Sequence, residues 1–597
     1  MSNPLEAYRH QLAALDIKLA LLQKRKSVFG WLRFVTLIAA FIALWKLWPL
    51  GLIVALPVFS ILTGLFLFIL SKDLNNNLTI ENSVRLRKIN ETEIEILNHH
   101  FTHLPDGSNY KPETHEYAND LDIFGRASLY QYINRTNSEQ GNKMFADWLL
   151  HQALPGMILQ RQETVKELTP ETGWRQQLQS CGIATKITIA TQQRIEKWLE
   201  QPVSFSGKLL WNILKYLLPA ISFSFLTLHL INILDASIFY PLMLLMLAVS
   251  FAISKLIIPD YLQLNRIAPE LESLSGSISL IEKKEFKTDL IKQLQAKYKT
   301  GLVASSESIK KLKKVLDLLD IRLNPLVFIP LNTFLFWDLQ QIFTLEKWKI
   351  ANKHNIRDWF DTLAEIECLS SIANLAFNHP ENSFPRISNK EGVFIADSMG
   401  HPLIAKEKMV CNSFSTEGVN QMNLITGSNM AGKSTFLRSI GINIVLAMMG
   451  STVFARSLAL SPMKVLSSMR VSDNLEESTS TFYAELKKLK EVINSVYNNE
   501  KVFLLLDEIL RGTNSADRHA GSKALIKQLI HHKAVGLIAT HDLELAKLAD
   551  EFPDKIHNYH FDVQVANDEL YFDYKLKRGI CQSMNASLLM KKIGIEL

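Results

Sequence analysis

The residues most suited to chemistry lie in the last third of the chain. Gly427, Ser428, Asn429, Met430, Ala431, Gly432, Lys433 and Ser434 fit the pattern G-x-x-x-x-G-K-[ST]. In such a loop the glycines let backbone N–H groups converge on phosphate oxygens, and the lysine reaches the β- and γ-phosphates. The hydroxyl after it, here Ser434, is a ligand for Mg²⁺, and the helix opening there turns its positive dipole end to the anion. Average residue usage produces the pattern by accident in about one chain in fifty of this length, so its surroundings decide. A strand-like "MNLIT" precedes it and a helix-like "STFLRSIGINIVLAMM", carrying Thr435, follows. That is the context a phosphate-binding loop requires.

Acidic groups come from "KVFLLLDEILRGTNSAD". Val502 to Leu506 read as a buried strand with Asp507 and Glu508 at its carboxyl end, where ligands of open α/β sheets bind. Asp507 is suited to hold Mg²⁺ through water, and Glu508 to polarise an attacking water. A further strand, "AVGLIAT", ends before His541-Asp542, so His541 reaches the same edge and can sense a γ-phosphate. The bland alternatives are a solvated acidic pair and a structural histidine. The phosphate loop upstream tells against both, and the implied cofactors are ATP and Mg²⁺.

An α/β unit must position these groups, and from about residue 385 short strands alternate with helices. The chain before that is different. Residues 121–200 and 260–378 have apolar residues at helical spacing, and residues 73–120 are polar, helical in pattern and end in a loop around "LPDGSNYKPETHE". At 597 residues, two to four domains are expected. The net charge of +6 is a mild basic bias that nucleic acid or an anionic membrane could use. The four cysteines are far apart, which argues against disulfides or a zinc site and fits a reducing compartment.

Mean hydropathy is slightly positive although 21% of residues are charged. The apolar excess is concentrated in Trp31 to Leu44 and Leu50 to Leu70, and again in Leu209 to Leu234 and Ala236 to Ile258. A helix needs about 20 apolar residues to span a bilayer. Buried core helices rarely stay apolar on every face for that length, so two membrane hairpins are expected. "NPLVFIPLNTFLFWDL" is short and holds Pro325 and Pro330, so it reads as a buried or surface-lying helix rather than a fifth span. Lys24, Arg25, Lys26 and Lys72 flank the first hairpin, and Lys208, Lys215 and Lys255 flank the second. Lys46 alone is discordant. Positive residues mark the cytoplasmic side, which leaves the termini and the phosphate loop in the cytoplasm of a bacterial inner membrane.

"TGSNMAGKST", "STSTFYAEL", "LLLDEILRGTNSAD" and "IATHDLEL" resemble, in order, the ATPase motifs of the MutS family of mismatch-repair proteins. "INRTNSEQGNKMFADWLLHQALPGMILQRQETVKEL" is similar to the start of that family's helical core, through Asn134-Arg135-Thr136, Gly141 and Arg161-Gln162. "WFDTLAEIECLSSIANLA" is similar to its end. The resemblance implies an ABC-like ATPase whose sites are completed across a homodimer. It implies that Ser480 is the signature serine facing the partner's γ-phosphate, and that Arg511, Thr513 and Asn514 lie at the dimer contact. Tyr574 takes the position of an adenine-stacking residue, while Met409 stands where a second aromatic is common. Ser428, Ala431, Leu510 and Arg518 also depart from the family's pattern, without removing a group needed for hydrolysis.

The expected architecture is a multidomain chain of α-helical membrane hairpins, a MutS-like helical core and lever domain, and a C-terminal α/β P-loop ATPase domain. Its divisions fall at an N-terminal helix (1–28), a first hairpin (29–72), a helical linker (73–120), core (121–207), a second hairpin (208–258), core and lever (259–380), and ATPase (381–597). No Phe-x-Glu mismatch wedge occurs before residue 120, and the second hairpin stands where the family inserts its DNA clamp. The expected function is that of a membrane-anchored, ATP-hydrolysing MutS-like protein. DNA binding and mismatch repair are implied by resemblance alone. The alternative is an ATP-driven membrane switch or transporter-like machine that does not act on DNA. Expected partners are a second copy of the chain, the lipid bilayer, DNA and proteins that the sequence does not specify.

Overall fold

The computed structural model describes residues 3–299, 303–428, 430–469, 481–566 and 569–581. The anticipated site residues Asn429 and Ser480 lie outside them. The molecule is multidomain, mostly helical in its first two thirds and mixed α/β in its last.

Two long antiparallel helices open the chain, α1 (Pro4–Leu47) and α2 (Leu52–Leu97), joined by a tight turn at Gly51 with φ +93°. Each runs without a break through the places where a linker or domain edge is expected, near residues 28 and 72. Composition changes there from polar to apolar, but no residue interrupts the i→i−4 hydrogen bonds, so the change is one of surroundings and not of backbone. At 1.5 Å per residue, Phe29 to Leu47 extends roughly 28 Å. The polar halves are tied by Arg33–Asp73 at 3.0 Å, by the Asn76 amide donating to Leu22 O at 3.0 Å, and by Arg87–Asp16 at 3.0 Å.

Short helices α3 (Leu129–Ile133), α4 (Glu139–Leu150), α5 (Pro155–Leu168), α6 (Thr172–Ala184) and α7 (Ile189–Glu200) follow. The second hairpin is α8 (Leu209–Leu230) and α9 (Ala236–Leu264). Then come α10 (Ala268–Lys283), α11 (Asp289–Ala296), α12 (Ser305–Leu319), α13 (Pro325–Leu335), α14 (Trp337–Asn352) and α15 (Ile356–Asn378). Among the described residues, four helices are long and apolar enough to cross a membrane: α1, α2, α8 and α9. α13 turns 110° from α12 and wedges against α8 and α9, where Asn332 donates to Ser254 Oγ at 2.9 Å and Ser222 to Thr333 O at 3.0 Å.

α15 is the hub. Tyr8 of α1 donates to Asn378 Oδ1 at 2.7 Å, and Asn378 donates to Glu93 of α2 at 2.8 Å. Glu93 is paired with Arg135 at 2.6 Å, and Arg175 of α6 donates to Asn374 at 2.7 Å. The first hairpin is thus fastened through buried polar groups to the helix that leads into the α/β unit. On another face of α15, Ser138 donates to Glu367 Oε2 at 2.5 Å. Gly141 is required beside it, since a Cβ there would lie 2.3 Å from Glu367 Oε2.

The α/β unit holds two sheets. Strands β1 (Arg386–Ile387), β2 (Phe394–Met399), β3 (Asn412–Thr416) and β5 (Ser457–Leu460) form the smaller one, ordered β1-β5-β2-β3. The larger contains β4 (Gln421–Thr426), β6 (Lys464–Ser468), β7 (Val502–Asp507), β8 (Val535–Thr540), β9 (Ile556–Ala566) and β10 (Glu569–Arg578), ordered β10-β9-β4-β8-β7-β6. Its pairings are parallel except for β10 on β9. Helices α16 (Lys433–Met448), α17 (Thr481–Tyr497) and α18 (Ser515–His531) pack on it. The helical body is stitched to this unit by Arg161, which donates to Met449 O and stacks on Trp148, and by Gln162, which donates to Pro385 O.

Candidate functional site

β4 and β7 run parallel on either side of β8, so their carboxyl ends open on one edge of the sheet. From β4 the chain turns through Gly427 to Gly432 and enters α16. Gly427 has φ +149° and Gly432 φ +102°, conformations that an L side chain strains to adopt. Met430 also lies in the left-handed region, at φ +71°, with its side chain exposed. Ala431 does not, which explains how it can stand where the resemblance leads one to expect glycine.

Lys433 is buried at the first turn of α16, and its Nζ donates to Gly427 O at 2.6 Å and Ser428 O at 2.9 Å. Burial holds its pKa below the ordinary lysine value, opposed by the carboxylates of Glu508 and Asp507. Ser434 Oγ donates to Asp507 Oδ2 at 2.5 Å. Burial raises the Asp507 carboxyl, against the pull of Ser434 and Arg511. Asp507 Oδ1 and Ser428 Oγ are buried without a hydrogen-bond partner among the described residues. A hydroxyl beside a carboxylate with a bare oxygen is a donor set that suits a hard divalent cation such as Mg²⁺, which keeps most of its shell for water and phosphate.

Glu508 follows Asp507 with φ +49°. Its Oε2 is paired with Arg511 Nε at 3.1 Å, and its Oε1 is 3.5 Å from His541 Nδ1. Lys433, Ser434, Asp507, Glu508 and His541 therefore converge, as their motifs imply. Arg511 lies in the same cluster within one chain. Asn514 caps α18 instead, accepting from Asp517 N at 2.9 Å, and Thr513 precedes it in the chain.

A cavity of about 420 Å³ lies over the loop, lined by Ser428, Gly432, Lys433, Thr435, Glu508, Met409, His401 and Tyr574, among others. Tyr574 sits in an irregular stretch of β10 at φ +51°. Asn412 holds that stretch in place, donating to Tyr574 O at 3.0 Å and accepting from Leu576 N at 2.9 Å. Two residues of this site were not legible in the motifs. His401 is buried in the cavity wall, where burial and Arg438 depress it to about 4, leaving a neutral ring near neutral pH. Glu485 of α17 is buried and accepts from Leu510 N, which ties the start of α17 to the loop after Glu508. Leu510 itself has φ +60°, a conformation for which glycine is better suited.

Residues 423–592 match the family model for MutS domain V. Sequence similarity to whole proteins covers less than half of the chain. MutS protein homolog 4 of Mus musculus is 36% identical over 199 residues, covering 32% of this chain and 20% of that protein. The DNA mismatch repair protein MutS of Chlorobaculum parvum is 33% identical over 254 residues, or 41% of this chain and 28% of its own length. The DNA mismatch repair protein MSH4 of Arabidopsis thaliana is 30% identical over 241 residues, with 39% and 30% coverage. The chain thus spans less than a third of each of these relatives. The MutS-like part contains the loop, both acidic residues, His541 and Tyr574, and begins inside β4.

Proposed function

We propose that this chain is a membrane-anchored MutS-like ATPase. The observation that carries the reading is the meeting of Lys433, Ser434, Asp507 and Glu508 at one sheet edge, with Asp507 Oδ1 left bare. Backbone N–H groups of the loop and Lys433 Nζ would bind the phosphates, the lysine exchanging its carbonyl partners for phosphate oxygens. Ser434 and Asp507 would hold Mg²⁺, which supplies charge neutralisation and alignment of the β- and γ-phosphates. Glu508 would orient and polarise the attacking water, with His541 beside it, and Tyr574 would stack on the base. In the single chain Arg511 occupies one oxygen of Glu508. Hydrolysis therefore requires Arg511 to turn away, and a second copy closing over Arg511, Thr513 and Asn514, with its Ser480 facing the γ-phosphate, is the arrangement that would draw it off.

The closing motion has two routes into the rest of the chain. Arg161 and Gln162 join the α/β unit to the helical body, and the Tyr8–Asn378–Glu93 network joins α15 to the first hairpin. The second route is the one by which the ATPase cycle would reach the proposed anchor in a bacterial inner membrane, and an ATP-driven membrane switch that does not act on DNA is the alternative reading. DNA binding enters through the names of the relatives, and salt-dependent binding of duplex DNA by the detergent-solubilised protein would test it.

Glu508→Gln tests the catalytic reading. Turnover should fall by roughly 10²–10⁴-fold while ATP binding persists and a nucleotide-bound dimer accumulates. Unchanged turnover would remove Glu508 from its role.

A further inference from the structure

Where the second hairpin leaves its apolar segment, the chain forms a small basic hollow. The apolar run of α9 ends at Pro259, with Lys255 in its last turn, and Leu262, Gln263 and Arg266 follow just beyond. Opposite them stand Arg194 and Lys197, one turn apart on α7, and the five residues enclose about 310 Å³. None of the three cations is paired with a carboxylate among the described residues. Of the acids on α7 and α10, Glu270 accepts from Thr188 N at 2.9 Å, Glu196 accepts from Gln192 at 3.0 Å, and Glu200, one turn after Lys197, is ion-paired with none of the three cations among the described residues. Like charges gathered without a counter-ion repel one another, so the arrangement favours an anion that can bridge them. Leu262 is 59% exposed beside the cations, which gives the hollow one apolar wall.

Depth narrows the choice of anion. Leu262 lies about 5 Å past Pro259 along α9, Arg266 sits in the tight turn just after α9 ends at Leu264, and the headgroup layer adds roughly 5–8 Å to each side of the hydrocarbon. We infer that Arg194, Lys197 and Arg266 bind the phosphate of an anionic phospholipid headgroup, with Leu262 against its glycerol and upper acyl chain. This inference rests on the membrane-anchored reading. The same phosphate chemistry is available from free inorganic phosphate and from a DNA backbone, but neither provides a group to cover Leu262. A lipid held here would clamp α7, in the helical body, to the cytoplasmic end of α9.

The test uses the full chain in nanodiscs of phosphatidylcholine with or without phosphatidylglycerol, with retained lipid counted by native mass spectrometry. The parent should retain phosphatidylglycerol selectively. The triple variant Arg194→Gln, Lys197→Gln, Arg266→Gln should lose that retention at least about tenfold, since each basic residue at an anionic surface is worth roughly fivefold. The control Lys310→Gln, Lys311→Gln, Lys314→Gln on α12 should not. Equal retention by the triple variant overturns the inference, as does displacement of the lipid by millimolar inorganic phosphate or by a short DNA duplex. A carbonate wash separates the two readings. A chain that stays in the bilayer without lipid preference refutes this site alone, whereas a chain that washes off refutes the membrane reading and this site with it.

Discussion

α16 and α8 are both strongly apolar helices, and they treat their side chains in opposite ways. Nearly every residue of α16 from Phe436 to Met448 is buried, between the large sheet and the helical body. In α8 the buried residue is the polar Ser222, while Leu209, Leu210, Ile213 and Tyr216 are more than half exposed. Only 6% of its apolar window is buried. One helix draws its apolar surroundings from the protein. The other buries one polar residue, Ser222, and turns its apolar side chains outward, the arrangement expected of the proposed membrane hairpin. Composition alone does not tell the two apart; what covers them does.

Substitutions can break that contrast. Ile444→Ala in α16 should destabilise the α/β unit by about 2–5 kcal/mol, read as a lower unfolding temperature and lost nucleotide binding. Leu217→Ala in α8 should cost less than about 1 kcal/mol in detergent, whereas Leu217→Lys should impair membrane integration. Equal losses from the two alanine variants would mean that α8 is covered by protein after all.

On α15, in the helical body, a pH effect is expected. Burial raises Glu367 from an ordinary 4.5 to about 7, offset in part by hydrogen bonds from Ser138 and Asn137. A raised folded-state pKa means that its contribution to stability is full below about pH 4.5 and is lost as pH rises through about 7. Glu367→Gln should therefore gain on the wild type as pH rises from 5 to 8, on the order of 3 kcal/mol at the upper end. A stability difference between the two that stays flat across that range would show Glu367 to be ionised throughout.

At the nucleotide end the expected effect is kinetic. Tyr574→Ala should raise the KM for ATP by about tenfold, in keeping with roughly 1–3 kcal/mol for aromatic stacking on a base. Its kcat should change little, because Tyr574 touches no acidic residue of the site among the described contacts. A fall in kcat with KM unchanged would place the base elsewhere.

Local signals made the site's centre legible. Strand, loop and helix around Lys433 fall within a residue of where "MNLIT" and "STFLRSIGINIVLAMM" imply, and Val502–Asp507 is a strand ending in the expected acid pair. Contacts distant in sequence were not legible. Asp120 accepts from Ser467 Oγ and pairs with Lys488, and neither motif nor periodicity announces a bond across some 350 positions. Glu485 reads as one more polar residue of an amphipathic helix until its bond to Leu510 N is seen. The apolar runs were legible but the extent of their helices was not, since a change of surroundings along α1 and α2 leaves the backbone pattern intact.

The clamp between Tyr8 and Asn378 also sets an order of events. Its partners are 370 positions apart, and at about 5–20 residues per second the ribosome needs roughly 20–75 seconds to supply the second after the first. For most of that interval, once Leu97 has been made, the first hairpin is complete while its seat on α15 does not yet exist. Arg33–Asp73, Asn76–Leu22 and Arg87–Asp16 all close within the first hundred residues. They can hold the stem upright before anything is available for it to rest on.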